Sequence, residues 1–154
     1  MGIEIERKFL VTSRNFENLA RAKRILQGYL CNDPEKTVRV RIHEKKAYLT
    51  VKSKVVNLSR LEFEYEISVK DAEKMMTLCP HIIEKERYEI FHKNHRWEVD
   101  KFLGENEGLL LAEIELVTPE EKFEKPDWIG EEVSLDERYF NSFLAENPYK
   151  NWSL

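Results

Sequence analysis

The sequence predicts an α+β fold built on an eight-stranded antiparallel closed β-barrel, with helices on its outside and at its C-terminal end. Three observations predict it. About eight segments alternate apolar and polar residues with period two, the signature of strands with one buried face. Most connections between them are short, which favours antiparallel neighbours. Helical patterns fall between only some strands and at the end, so the sheet is not of the βαβ kind. The 154 residues are expected to form one domain, 1–154, and a hydrophobic share of 42% excludes wholesale disorder.

The first strand sets the theme. In Gly2 to Val11, Ile3, Ile5 and Phe9 point one way and Glu4, Glu6 and Lys8 the other. Ser13 suits the start of a short helix carrying Phe16, Leu19, Ala20 and Leu26, and Gln27 to Leu30 opens the second strand. Asn32-Asp33-Pro34 is a turn. Thr37 to Ile42 then sets Val38, Val40 and Ile42 against Arg39 and Arg41. After a tight turn, Ala47 to Lys54 sets Leu49 and Val51 against Tyr48, Thr50, Lys52 and Lys54. Arg60 to Ile67 alternates most strongly, with Arg60, Glu62, Glu64 and Glu66 on its polar face.

A helix follows, started by Ser68 and Asp71 and ended by Pro80, with Ala72, Met75, Met76 and Cys79 at helical spacing. The Met pair reads as packing. Ile82 to His92 places Lys85 and Arg87 on one face, and Arg96 to Asp100 places Glu98 and Asp100 on one face. Leu109 to Val117 opposes Glu113 and Glu115 to Leu110, Ala112, Ile114 and Leu116. Thr118-Pro119-x-Glu121 reads as a capping box that starts a helix to about Lys125. A last helix from Asp136 is expected to bury Tyr139, Phe140, Phe143 and Leu144.

The charged faces sort by sign. Glu62, Glu64 and Glu66, Glu98 and Asp100, and Glu113 and Glu115 form acidic faces; Arg39 and Arg41, Lys52 and Lys54, and Lys85 and Arg87 form basic ones. A face made only for solubility mixes signs, because like charges across strands repel. Carboxylate clusters suit divalent cations through hard oxygen ligands, and Arg and Lys clusters suit phosphates. Two arrangements stay open on this pattern: a sandwich with these faces exposed, or an inverted barrel with a charged, wet lumen.

The order of these elements resembles the CYTH superfamily, the triphosphate tunnel metalloenzymes. Glu4-x-Glu6-x-Lys8 matches the N-terminal E-x-E-x-K motif of that family. Gln27-Gly28-Tyr29-Leu30, Arg39-x-Arg41, Lys52-x-Lys54, Arg60-x-Glu62-x-Glu64, Lys85-x-Arg87, Glu98-x-Asp100 and Glu113-x-Glu115 follow in family order. Gly130 to Val133, Arg138-Tyr139-x-Asn141 and Leu144-Ala145 resemble the C-terminal segment of small bacterial members.

The resemblance implies a tunnel that binds a triphosphate with Mg²⁺ or Mn²⁺, most like the inorganic tripolyphosphatases that yield diphosphate and phosphate. It implies metal-binding roles for Glu4, Glu6, Glu62, Glu64, Glu98, Asp100, Glu113 and Glu115. Substrate binding falls to Lys8, Arg39, Arg41, Lys52, Lys54, Arg60, Lys85, Arg87 and Arg138, and catalysis to Glu4, Glu6, Lys8, Lys85 and Arg87. The last helix is poorer in Lys than in those relatives, and Arg138 is its obvious remaining phosphate contact. A class IV-type adenylate cyclase, a thiamine or nucleoside triphosphatase, and a non-catalytic polyphosphate-binding module are the alternatives. The many acids disfavour the last, since holding a polyanion needs only the bases.

Other features exclude function classes. The net charge of −4 gives no reason to expect nucleic-acid binding. Cys31 and Cys79 form no C-x-x-C pair, and with a strand pattern at its start the sequence is expected to carry no signal peptide. Met1-Gly2 lacks the Ser or Thr that myristoylation needs at Glu6, and the apolar run Leu109 to Ala112 is too short to span a bilayer. A cytoplasmic, membrane-free protein with a small-molecule triphosphate as partner is expected, its oligomeric state left open with a homodimer as one option. His43, His81, His92 and His95 lack metal-ligand spacing, Trp97, Trp128 and Trp152 read as packing residues, and Gly104 and Gly108 form no phosphate loop.

Overall fold

A computed structural model describes residues 2–153. Eight strands close into an antiparallel barrel: β1 (Ile3–Val11), β2 (Lys23–Asp33), β3 (Lys36–His43), β4 (Lys46–Ser53), β5 (Ser59–Ile67), β6 (Ile82–His92), β7 (His95–Phe102) and β8 (Leu110–Glu115). Their order is β5-β4-β3-β2-β6-β7-β8-β1, and β1 closes the ring on β5 through Ile3↔Leu61, Glu4↔Arg60 and Ile5↔Ser59. A ninth strand, β9 (Ile129–Glu132), pairs with the far end of β1, where Phe9 lies opposite Glu132.

The strand pairing decides which face is inside. Residues directly opposite share a face, and the pairs Glu6↔Glu115, Lys8↔Glu113, Lys52↔Glu62 and Arg87↔Asp100 put the charged side chains on one surface of the ring. The apolar surface packs outward under covering segments. Helix α1 (Val69–Met76) lays Ala72, Met75 and Met76 over Val40, Ala47, Ile42 and Leu49. Its start is capped as expected, with the Asp71 N–H donating to Ser68 Oγ at 3.0 Å. Gly28 lets this cover approach the sheet: a Cβ there would stand 2.7 Å from Cys79 Cβ and 2.9 Å from Ile82 Cδ1.

On the opposite side, Phe9, Trp97, Val99, Ala112 and Ile114 are buried with Phe16, Tyr88 and Trp128. A third cluster lies on lumen-facing positions. Tyr29, Ile83, Phe102 and Leu111 lie opposite Arg39, Gln27, Lys85 and Asp100 respectively, and pack against Val133, Leu144 and Ala145. The C-terminal segment with α2 (Asn141–Glu146) therefore stops one end of the barrel.

Three local expectations fail. The helix expected over Phe16 to Leu26 is a single 3₁₀ turn, Asn15–Asn18. Phe16 alone anchors it; Leu19 is exposed, and Leu26 is already paired with Ile42 and Glu84 in β2. The helix expected from Thr118 is absent. The Glu121 carboxylate does reach back to the Val117 N–H (2.6 Å), but it also binds His95 Nε2 (2.6 Å). Phe123 then packs edge-on to Phe9 and Trp97, which holds the segment extended across the sheet. The last helix begins at Asn141 instead of Asp136, after a 3₁₀ turn at Glu137–Tyr139.

Candidate active site

The lumen is lined by eight cationic side chains and seven acidic ones. Glu4, Glu6, Glu62, Glu64, Glu98, Glu113 and Glu115 border it, as do Lys8, Arg39, Arg41, Lys52, Arg60, Lys85 and Arg87. Arg96 is the eighth cation.

Three expected site residues stand elsewhere. Asp100 was read as a metal ligand, but it is 2% exposed and does not border the cavity. Its oxygens accept from Arg87 Nε (2.7 Å) and NH2 (2.9 Å) and pair with Lys85 Nζ (2.8 Å). It therefore holds two cations from behind, with no oxygen left over for a metal. Lys54 lies past the end of β4 at the solvent, 3.9 Å from Glu35, because the strand stops at Ser53. Arg138 is exposed on a 3₁₀ turn, hydrogen-bonded to Asp136 and stacked on Tyr139 and Trp152, outside the tunnel.

Around the ring, opposite charges meet at the borders between walls. Lys52 Nζ lies 3.2 Å from both Glu4 and Glu62, Arg60 Nε donates to Glu4 at 3.1 Å, and Lys8 Nζ is 3.6 Å from Glu113. Arg39 NH2 is 3.5 Å from Glu64 and 3.3 Å from Thr50 Oγ1, while Arg39 Nε is buried without a partner. Within the walls like charges crowd. Burial, then Glu113 and Glu4, push the Glu6 carboxyl well above its ordinary range, and burial also raises Glu62 and Glu115. On the basic side, burial followed by Arg39 and Arg87 lowers Arg41 to about 9. Burial also lowers Lys85 to about 7 despite Asp100, with Arg87 and Arg41 acting in the same direction as burial. Each wall lacks part of its countercharge.

Such a lumen, an acidic and a basic wall only partly answered by ion pairs inside a closed antiparallel ring, is the arrangement the CYTH resemblance implies. Residues 2–142 match the CYTH domain. The chain belongs to the CYTH family. It is 51% identical over 154 residues to an inorganic triphosphatase of Acetivibrio thermocellus, covering 99% of each chain. It is 35% identical over 148 residues to an inorganic triphosphatase of Nitrosomonas europaea, covering 92% of this chain and 96% of that one. A solved structure of an inorganic triphosphatase superposes with a TM-score of 0.67 at 33% identity, over 92% of this chain and 93% of that one. An adenylate-cyclase candidate from Bacillus halodurans shares the fold at 18% identity, TM-score 0.61, over 78% of this chain and 84% of that one.

The CYTH carboxylates can be tested for a divalent cation. Among the described residues, no three acidic, His or Cys side chains converge into a ready metal cage. Two carboxyl pairs lie close enough to repel, Glu6 with Glu113 and Glu62 with Glu4. Burial and this repulsion raise Glu6 and Glu62, and a cation bound between the carboxylates would act against both. One or two carboxylates completed by phosphate oxygens and water is the shell that Mg²⁺ prefers, so the residues fit the ion.

Gln27, Arg96 and Asn141 were not assigned to the site from the sequence. Gln27 lies behind Arg41 on the neighbouring strand, and Arg96 shares a strand face with Glu98. Asn141 stood in the C-terminal motif Arg138-Tyr139-x-Asn141, but nothing in its type assigned it a role. It reaches the lumen through the docking of α2, a contact between residues far apart in the chain.

Proposed function

We propose that this CYTH domain, 1–154, is an inorganic triphosphatase that hydrolyses tripolyphosphate to diphosphate and phosphate with Mg²⁺ or Mn²⁺. The observation that carries the proposal is the shortage of countercharge on both walls. A polyanion answers the basic wall and a divalent cation the acidic one, and bound together they answer both.

Lys8, Arg39, Arg41, Lys52, Lys85 and Arg87 hold the phosphate chain; Arg60 supports Glu4. Arg39, with its unpartnered Nε, keeps a donor for a phosphate oxygen. Glu4, Glu6, Glu62, Glu113 and Glu115 hold the cation, with Glu64 and Glu98 at the edges of that wall. A bound divalent ion supplies Lewis-acid polarisation of phosphate oxygens and neutralises charge on them. The water oxygen attacks the terminal phosphorus, the bridging P–O bond breaks, and diphosphate leaves with the electron pair. Lys85, whose amine burial lowers to about 7, accepts the water proton. Lys8 and Arg87 face the charge that builds on the phosphoryl and leaving oxygens.

A cyclase reading rests on fold likeness alone. The test is a panel of tripolyphosphate, ATP and thiamine triphosphate, each with Mg²⁺, Mn²⁺ or excess EDTA. Tripolyphosphate is expected to be turned over fastest and EDTA to stop it. Turnover unaffected by EDTA, or a tenfold preference for an organic triphosphate, would sink the proposal.

A further inference from the structure

The C-terminal segment touches the basic wall with a neutral amide. Asn141 opens α2, whose Leu144 and Ala145 are buried, so the position of its side chain is fixed by the helix seat. Asn141 Oδ1 accepts from Lys85 Nζ at 2.8 Å and from Gln27 Nε2 at 3.0 Å. Gln27 Oε1 in turn accepts from Arg41 Nε at 2.9 Å. Both ends of this chain are donors that cannot accept in their charged forms, a guanidinium and an ammonium, so both amides have only one workable orientation. Gln27 is fully buried and cannot exchange either bond for water.

The consequence falls on Lys85. An amine nitrogen has four tetrahedral directions. One is the bond to Cε, one faces Asp100 Oδ2 at 2.8 Å and one faces Asn141 Oδ1 at 2.8 Å. A single direction is left, on a residue that borders the cavity. A lysine side chain has many rotamers, and one acceptor alone leaves its head free to turn. Two acceptors from different elements, β7 and α2, remove that freedom.

We propose that Asn141 is a positioning residue: with Asp100 it fixes Lys85 Nζ so that its one free direction meets the reacting phosphoryl end, and through Gln27 it aligns Arg41. This rests on the triphosphatase reading for the reaction, but not for the geometry.

The experiment compares tripolyphosphate hydrolysis by the wild type, Asn141→Ala, Asn141→Leu, Asn141→Asp and Asn32→Ala. Loss of orientation at a reacting group costs on the order of 10–100-fold, so Ala and Leu are expected to lower kcat by that factor with KM nearly unchanged. Asn141→Asp keeps the acceptor oxygen, so kcat recovers in part, and more fully as pH rises because the added carboxylate favours charged Lys85; its charge also faces a polyanion, so KM rises. Asn32 Nδ2 donates to the Ser142 carbonyl at 2.8 Å and ties down the same segment without touching Lys85. Asn32→Ala is expected to keep both constants. Side-chain amine NMR gives a reading independent of turnover: the Lys85 Nζ protons exchange slowly in the wild type and Asn141→Asp, and fast in Asn141→Ala. If Asn141→Leu fails to fold, Asn141→Ala, which admits water to the site, still decides. Unchanged kcat and exchange in Asn141→Ala, or an Asn32→Ala loss equal to it, overturns the proposal. A wild type without tripolyphosphatase activity overturns the functional reading instead, and the exchange rates still judge the positioning.

Discussion

Replacing Asp100 by Asn separates a positioning carboxylate from a metal ligand. Asp100 is 2% exposed and serves Arg87 through two hydrogen bonds and Lys85 through an ion pair. Asn keeps the shape and one acceptor oxygen but removes the charge, leaving Lys85 beside Arg41 without its countercharge and Arg87 with only Glu98, 3.3 Å from its NH1. Breaking a buried ion pair by removing one partner costs about 3–5 kcal/mol. For a chain of this length, ~1 kcal/mol corresponds to ~2–4 °C, so the midpoint should fall by about 6–20 °C. The sign with pH follows from the direction of the shift. Arg87 and Lys85 hold the Asp100 carboxyl far below its ordinary range against burial, so its stabilisation is present above the unfolded value and persists to strongly acidic pH. The deficit of the variant should therefore be as large at pH 5 as at pH 7.5. A polyanion restores part of the lost charge, so saturating tripolyphosphate should raise the midpoint more in Asp100→Asn than in the wild type. The assay is thermal unfolding followed by circular dichroism, with and without tripolyphosphate and Mg²⁺. A variant that melts within 2 °C of the wild type but loses its Mg²⁺-induced shift would falsify this account and return Asp100 to the metal site.

Arg39→Lys keeps the charge but not the planar fork and should weaken tripolyphosphate hydrolysis; Arg39→Ala should cost about 1.5–3 kcal/mol, on the order of ten- to a hundredfold in kcat/KM. Equal efficiency in all three proteins would remove Arg39 from the substrate wall. Burial raises the Glu6 and Glu62 carboxyls above their ordinary values, so binding of Mg²⁺ on the acid side of neutrality should release protons, detected calorimetrically as a heat that varies with the buffer's ionisation enthalpy. Glu6→Gln should diminish that release and largely abolish turnover, and a buffer-independent heat in the wild type contradicts the assignment. Gly28→Ala drives a Cβ into Cys79 and should destabilise by about 1–3 kcal/mol, with the activity of the folded fraction retained. A melting temperature unchanged by that substitution means that α1 sits less tightly on β2 than described.

The strands were legible because their period-two pattern is strong and their charges sort by sign. What the pattern left open was the direction of those faces, since alternation looks the same from either side of a sheet. Pairing settled it: Glu4 opposite Arg60 closes the ring and turns both inward. The misread segments are those where one long-range contact outweighs local preference. Phe123 over Trp97 pulls a helix start straight, and Leu26 is claimed by its neighbours in β3 and β6. Arg138 was overvalued because charge was the only feature by which the tail could be judged. The group that does enter, Asn141, belongs to the same C-terminal motif but has no charge, and its role comes from Lys85, 56 positions away.

The strand nearest the N-terminus has neighbours that are synthesised last. The Lys8 N–H donates to Ser134 Oγ across 126 positions, and β1 lies between β5, β8 and β9. During translation β1 leaves the ribosome long before β8 and β9 exist, so it must wait as an unpaired edge. Its alternating Glu4, Glu6 and Lys8 are the kind of charge that keeps a lone edge from pairing with another chain. Side chains that line the finished tunnel would thus also guard the nascent chain against aggregation. Neutral replacements such as Glu4→Gln and Glu6→Gln together should lower soluble yield more than they lower the melting temperature of the protein that does fold.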